Sequence, residues 1–171
     1  VIEKAVAILR KDNSPENQQA TSDPGLGSIR GDSNKRSSNL ICQLDFDALS
    51  EMGYLTKDNA GTRFAEEYRI IKRPLLANAF GKGVVPIEHG NLVMITSSLP
   101  GEGKTFNAIN LALSIALERD TTVLLVDADV VKPKLSKLFG LSEQAGLIDV
   151  LEDSSLSLAD VIVNTDNNKL R

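Results

Sequence analysis

The sequence predicts an α/β fold, a parallel β-sheet flanked by helices, with a helical N-terminal extension. Two continuous apolar runs, residues 92–95 and 123–126, are typical of strands covered on both faces. Between them, residues 105–119 predict a helix that is apolar on nearly every side, as in a deeply buried helix. Because strand, helix and strand follow in this order, we expect a right-handed crossover unit with parallel strands.

Composition and charge narrow the class of protein. The 171 residues carry a formal net charge of −4, which gives no support for a broad basic surface, so no nucleic-acid partner is expected. The single cysteine, Cys42, cannot form an intrachain disulfide, which fits a reducing cytoplasmic setting. No apolar run approaches the roughly 18 residues that span a bilayer. Any membrane association is therefore expected to come through a partner.

The N-terminal part divides into a short helix and a linker. In residues 1–11, Ile2, Ala5, Val6 and Leu9 recur at helical spacing, which predicts an amphipathic helix that docks on its own domain or binds a partner. Residues 12–39 are rich in Ser, Asn, Asp, Gly and Pro, with few large apolar groups. Such a segment buries too little surface to offset its ordering entropy, so we expect a flexible linker.

A helical segment is expected over residues 40–90. Within residues 40–56, the apolar stripe Leu44, Phe46, Leu49 and Met52 is followed by Gly53, a residue suited to ending a helix. Residues 62–80 predict a longer helix, which Pro74 should kink or divide. Its expected buried positions are Phe64, Ile70, Ile71, Leu75, Leu76 and Phe80. Three short helices, near residues 135–139, 147–151 and 158–161, are expected after the second strand.

The turn between the first strand and the buried helix has the spacing of a phosphate-binding P-loop. It reads Ser98-Leu99-Pro100-Gly101-Glu102-Gly103-Lys104-Thr105, with Ser98 where the first glycine usually stands. Glycines let the main chain curl around phosphates, and the helix N-terminus adds N–H groups and a positive dipole end. The alternative is an ordinary tight turn before a helix.

We expect this loop to bind ATP with Mg²⁺. The predicted contacts come from Ser98, Pro100, Gly101, Glu102, Gly103, Lys104 and Thr105. The Lys104 ammonium can reach the β- and γ-phosphates, and the Thr105 hydroxyl is placed to ligate Mg²⁺.

Two acids follow the second strand. Asp127 and Asp129 lie at i and i+2, so on an extended chain they share a face. Ligands of open parallel sheets bind beyond the carboxyl ends of the strands, where the phosphate loop also begins. One acid is therefore a candidate metal ligand and the other a candidate for orienting or deprotonating a nucleophile. The alternative is that Asp127 caps the next turn and Asp129 is solvated.

These residues together resemble a known family. Residues 96–105, then Asn110-Leu111-Ala112 and residues 123–129, resemble the bacterial tyrosine autokinases of exopolysaccharide biosynthesis, the P-loop BY-kinases. Residues 127–133 are similar to the branch found with exosortase-linked loci. The resemblance covers roughly Leu44–Arg171 and implies a P-loop NTPase-type sheet, of which residues 91–171 would be the N-terminal part.

The resemblance implies functional roles. Lys104, Asp127 and Asp129 would be catalytic, with Thr105 and Asp127 at the metal. A helix motif of Glu66, Arg69 and Lys72 would mediate homo-oligomerisation, with lysine where the family has arginine; otherwise these three form an ordinary solvated helix face. The partner would be a membrane-embedded polysaccharide chain-length or export protein, at the inner face of the plasma membrane.

The sequence departs from the family in several places. Val131 replaces a usual arginine, and the third motif, a strand ending in an Asp that supports Mg²⁺, is not visible before Arg171. Tyr54 and Tyr68 are the only tyrosines, whereas the family phosphorylates a C-terminal cluster. We therefore expect a fragment cut within the kinase domain, with uncovered apolar surface and marginal stability or self-association.

Two other functions stay open. A ParA/MinD-like ATPase switch usually carries a signature lysine at the second loop position, which is Leu99 here. A non-catalytic nucleotide-binding scaffold fits the missing third motif.

Overall fold

The computed structural model describes residues 4–9, by their backbone, and residues 41–171. The strands are β1 (Lys4–Leu9), β2 (Ile41–Cys42), β3 (Leu92–Ile95), β4 (Thr122–Asp127) and β5 (Asn164–Thr165). The helices are α1 (Phe46–Glu51), α2 (Arg63–Ala79), α3 (Lys104–Ala116), α4 (Lys134–Leu138), α5 (Leu147–Glu152) and α6 (Leu158–Val161). The chain is thus α/β, as predicted.

The main sheet is antiparallel, not parallel as predicted. Its strand order is β3-β1-β4, and β1 runs antiparallel to both neighbours. β3 and β4 therefore run in the same direction, as a strand–helix–strand crossover requires, but they are not adjacent. A separate two-stranded sheet pairs β2 and β5 in parallel.

The predicted N-terminal helix is wrong where the structure describes it. Residues 4–9 form the central strand instead, with Lys4 opposite Ile95 and Leu9 opposite Thr122. A short apolar run such as Ala5–Leu9 fits a buried strand as well as a helix, and periodicity alone does not separate the two. Pairing along both edges decides in favour of the strand. The rest of residues 1–11 and the predicted linker, residues 12–39, lie outside the described residues.

The chain end joins the other edge of β4. Leu170 forms a parallel bridge with Val123, and the Val123 N–H donates to the Lys169 carbonyl at 2.8 Å. The Leu125 N–H donates to the carbonyl of Arg171 at 2.8 Å. Residues 169–171 thus continue the sheet beside β4.

Helix α3 is the centre of the core. From Ala108 to Ala116 every residue is buried, and the helix packs against the three strands of the main sheet and against α2. Asn110 is fully buried, and its Oδ1 accepts a 2.7 Å hydrogen bond from the Leu55 N–H. The predicted deep burial of this helix is confirmed.

Helix α2 is continuous through Pro74. The hydrogen bond that Pro74 removes would have gone to the carbonyl of Ile70, and both residues are exposed, so water can satisfy that carbonyl. The expected burial of Ile70 and Ile71 is wrong, since they are 62% and 50% exposed. Instead Ala65, Tyr68 and Lys72 form the buried face. Over the described part of the chain, no helix has the length and apolarity needed to cross a bilayer.

Candidate functional site

The predicted phosphate loop lies between β3 and α3. Gly101 and Gly103 have φ angles of 87° and 89°, in the left-handed region that side-chain-bearing residues rarely adopt. Gly103 is the N-cap of α3, and Lys104 is the first helical residue. The first turn of a helix leaves N–H groups without intrahelical partners, and the loop curls in front of them. Ser98, Pro100, Gly101 and Glu102 are exposed.

The Lys104 side chain folds back over the loop. Its ammonium donates to the Ser97 hydroxyl at 2.6 Å and to the Leu99 carbonyl at 3.2 Å, and the residue is 8% exposed. The Ser97 hydroxyl in turn donates to the Leu99 carbonyl at 3.0 Å. Both of these acceptors are neutral oxygens, and an anionic oxygen is a stronger acceptor for an ammonium group.

Glu102 stabilises the outer side of the same loop. Its carboxylate accepts a 3.0 Å hydrogen bond from the Leu99 N–H. That bond is the largest cause of the lowered pKa of Glu102, whose ordinary value is 4.5, and the polar groups of Ser97 and Ser98 contribute less. The side chain is committed to the loop itself, so any contact of Glu102 with a phosphate would come from its backbone.

Asp127 is the last residue of β4 and Asp129 lies two residues beyond it, and both make local hydrogen bonds. Asp127 Oδ2 accepts from the Ser136 N–H at 3.0 Å and from its hydroxyl at 3.2 Å, while Oδ1 accepts from the Asp129 N–H at 3.2 Å. Asp129 Oδ1 accepts from the Lys132 N–H at 3.0 Å. Asp127 therefore also holds the first turn of α4, as the alternative interpretation expected. Ser136 fixes the direction of this carboxylate.

The loop and the acids lie at the same edge of the sheet. Lys4 of β1 is opposite Ile95 on β3 and opposite Asp127 on β4. Ile95 and Asp127 are thus level across the sheet and two strand spacings apart, about 10 Å. Within the described residues, no group of three or more His, Cys, Asp and Glu side chains lies together as a metal cluster. A Mg²⁺ ion that keeps several waters and binds phosphate needs fewer protein ligands than that.

Hydrogen bonds link the loop to α2. The Tyr68 hydroxyl donates to Asn107 Oδ1 at 2.8 Å, and Asn107 Nδ2 donates to the Gly103 carbonyl at 3.0 Å. Phe106, which follows Thr105, packs against the Tyr54 ring with centroids 5.1 Å apart.

The residues predicted to mediate self-association do not form one surface. Arg69 pairs with Glu66 at 2.7 Å, and both side chains are about half exposed. Lys72 is 5% exposed, donates to the Ser114 carbonyl at 2.6 Å and pairs with Glu118 at 2.8 Å. The expectation that Lys72 belongs to an exposed motif is therefore corrected, because Lys72 anchors α2 to the end of α3. Self-association through Glu66 and Arg69 stays a prediction.

Sequence reasoning missed four residues that shape the site. Ser97 contacts Lys104, and Ser136 contacts Asp127. Asn107 contacts Gly103, and Tyr68 contacts Asn107. Only Asn107 carried a local signal, since it lies four residues after Gly103 and can return to the carbonyl that opens the helix.

The fold and the site define an α/β protein with a glycine-containing loop at a helix N-terminus and two acids at the same sheet edge. Three named relatives are similar to parts of the chain. The tyrosine-protein kinase YwqD of Bacillus subtilis is 49% identical over 59 residues, which are 34% of this chain and 24% of YwqD. The tyrosine-protein kinase ptk of Acinetobacter johnsonii is 40% identical over 76 residues, 44% of this chain and 10% of the relative. The tyrosine-protein kinase etk of Escherichia coli K12 is 29% identical over 116 residues, 68% of this chain and 15% of the relative.

The resemblance to bacterial tyrosine kinases is confirmed by these relatives. The matched segments span less than a quarter of each relative's length. No protein-family model and no solved structure matches the chain.

Proposed function

We propose that the chain carries the ATP site of a bacterial protein-tyrosine autokinase that regulates exopolysaccharide synthesis or export. The observation that carries the proposal is the strand–loop–helix of β3 and α3, in which Lys104 folds over a loop with two left-handed glycines. The names of the relatives support the reaction class, phosphoryl transfer to tyrosine.

The donors at the loop fit a polyphosphate. Backbone N–H groups at the start of α3 and the Lys104 ammonium are hydrogen-bond donors, and phosphate oxygens are acceptors. A Cβ added at Gly101 would meet no atom within 4 Å, so space beside the loop is open. Lys104 would exchange Ser97 and Leu99 for phosphate oxygens, and Thr105 would ligate Mg²⁺ through its hydroxyl.

The two acids would complete the site. Asp127 would hold Mg²⁺ directly or through water, with its carboxylate oriented by Ser136. Asp129 would orient or deprotonate the attacking tyrosine hydroxyl. Bound Mg·ATP supplies the γ-phosphoryl group and the metal charge that phosphoryl transfer requires.

The cellular setting is part of the same proposal. A homo-oligomer would form through the exposed Glu66–Arg69 side of α2, and a membrane-embedded chain-length or export protein would hold the kinase at the cytoplasmic face of the membrane. The oligomeric state of Arg69→Ala tests the self-association, and pull-down on the membrane protein tests the partner, both separately from nucleotide binding.

Calorimetric titration of Mg·ATP and Mg·ADP tests the site directly. We expect Lys104→Ala to abolish binding, while Lys57→Ala, a matched change of an exposed lysine outside the loop, leaves it unchanged. Asp127→Asn should weaken binding of Mg·ATP more than binding of ATP in EDTA. Phosphotyrosine formed on an added tyrosine peptide reports the transfer step. A folded wild-type chain that binds neither nucleotide contradicts the proposal.

A further inference from the structure

We infer that Tyr68 is a positioning residue for the phosphate loop and acts through Asn107. The inference rests on the proposed function, because the loop is the phosphate cradle of that site. Tyr68 lies on α2, and its hydroxyl donates to Asn107 Oδ1 at 2.8 Å. Asn107 lies one turn into α3 and donates from Nδ2 to the Gly103 carbonyl at 3.0 Å. Helix α2 is thus linked through Asn107 to Gly103, the residue that precedes α3.

The chemistry of the amide makes this contact directional. The Gly103 carbonyl only accepts hydrogen bonds, so the amide nitrogen of Asn107 must face it and Oδ1 is left for a donor. The Tyr68 hydroxyl is that donor. Asn107 is exposed, and without the hydroxyl its side chain is free to rotate toward water. A flipped amide would set two acceptors, Oδ1 and the Gly103 oxygen, against each other.

Holding the Gly103 carbonyl fixes a phosphate-binding donor. The oxygen of Gly103 also accepts from the Asn107 backbone N–H at 2.8 Å, so two donors restrain it. This carbonyl and the Lys104 N–H belong to one planar trans peptide and point in opposite directions. Fixing the carbonyl toward Asn107 therefore aims the Lys104 N–H away from it, into the space that the loop encloses. Gly103 needs such restraint because glycine can adopt many backbone conformations, and here it must hold a φ of 89°.

Tyr68 is held more firmly than the residue that it positions. It is 6% exposed, and its ring meets Phe64 edge-on with centroids 5.1 Å apart. Burial raises the pKa of the Tyr68 hydroxyl, which therefore stays protonated and able to donate at neutral pH. The buried ring of Tyr68 on α2 therefore restrains the exposed amide of Asn107 beside the loop.

A double-mutant cycle tests the route. We expect Tyr68→Phe to raise the Kd for Mg·ADP and Mg·ATP about three- to tenfold, the effect of one net hydrogen bond. On an Asn107→Ala background the same change should have no further effect. Tyr54→Phe is the matched control, because Tyr54 lies in the same aromatic cluster and its hydroxyl makes no hydrogen bond among the described residues. Equal increases in Kd on both backgrounds, accompanied by equal losses of melting temperature, would mean a merely structural role and overturn the inference.

A nucleotide-free measurement separates this inference from the proposed function. Tyr68→Phe should shift the ¹⁵N–¹H resonances of Gly103 and Lys104 in the protein alone, and Tyr54→Phe should leave them in place. A chain that binds no nucleotide but shows the shift would refute the proposed ATP site and support the positioning. Resonances and Kd values that both stay unchanged in Tyr68→Phe would refute the positioning even if Lys104→Ala abolishes binding.

Discussion

Replacing Lys72 by methionine should destabilise the fold strongly, although lysine usually occupies solvated surfaces. The Lys72 ammonium donates to the Ser114 carbonyl at 2.6 Å and pairs with Glu118 at 2.8 Å. Because α3 ends at Ala116, Ser114 lies in its last turn, where carbonyls have no intrahelical donor. The lysine thus supplies both a hydrogen bond and a positive charge at the C-terminal end of the helix dipole.

The size of the expected stability loss depends on how deeply Lys72 and Glu118 are each buried. A hydrogen bond to a charged group contributes about 1.5–3 kcal/mol, and breaking a fully buried ion pair costs about 3–5 kcal/mol. The Lys72 side chain is 6% exposed but that of Glu118 is 45% exposed, so water can rehydrate the carboxylate. Methionine retains the aliphatic stem. We therefore expect Lys72→Met to lower the free energy of unfolding by about 2 kcal/mol, or the melting temperature by about 4–8 °C.

Denaturant and thermal melts of matched variants measure this effect. Arg69→Ala is the control, since Arg69 pairs with Glu66 on the same helix with both side chains about half exposed. Such a pair contributes only about 0.2–0.5 kcal/mol and is screened by salt. Losses within about 0.5 kcal/mol of each other for the two variants would refute the anchoring role of Lys72. So would an Lys72→Met variant that changes only the oligomeric state, as an exposed interface residue would.

Three other substitutions test single features of the site and its support. Asn110→Ala leaves the buried Leu55 N–H without its acceptor, and denaturant melts should show a loss of about 3 kcal/mol. Gly103→Ala forces a side chain into φ 89° with Cβ 3.3 Å from the Asn107 amide, so we expect a stability loss of about 1–2 kcal/mol in melts, together with weaker Mg·ADP binding by calorimetry. The hydrogen bond from the Leu99 N–H is the main cause of the lowered pKa of Glu102. The contribution of the Glu102 carboxylate to stability is therefore present above the ordinary pKa of 4.5 and is lost as the pH falls through the lower pKa of the folded state. NMR titration should find that lower pKa, and Glu102→Gln should remove the pH dependence; a carboxyl titrating at or above 4.5 contradicts the hydrogen bonding.

Local patterns predicted the second half of the chain well. The run at 92–95 is β3 and the run at 123–126 lies within β4, and the three short helices lie within a residue or two of their predicted positions. Helix α2 was located correctly, but its buried face was not. Apolarity favoured Ile70 and Ile71, whereas the face toward α3 is set by Tyr68 and Lys72, four residues apart. A lysine that reaches a helix terminus looks polar in a sequence and becomes a core residue only once α3 is in place.

The site was predictable only where its chemistry is local. Ser98–Thr105 are contiguous, so spacing alone located the loop between β3 and α3. Ser97 was not assigned to the site because its role depends on the direction in which Lys104 folds. Tyr68 lies 39 residues from Asn107, and no sequence period relates the two positions. Contacts of this kind depend on how α2 packs against α3.

The strand that sequence reasoning missed did not displace the site, and topology explains why. The crossover through α3 gives β3 and β4 the same direction whatever lies between them. The loop after β3 and the acids at the C-terminal end of β4 must therefore reach the same edge of the sheet. Inserting β1 changes their separation instead, from one strand spacing to two, about 10 Å at the level of Ile95 and Asp127. A ligand that contacts both the loop and the acids must therefore bind beyond the edge of the sheet. The loop extends past β3 there, and the segment after Asp127 extends past β4. The hydrogen bond from Asn107 to the Gly103 carbonyl fixes the direction of the loop, and the hydrogen bond from Ser136 fixes the direction of the Asp127 carboxylate.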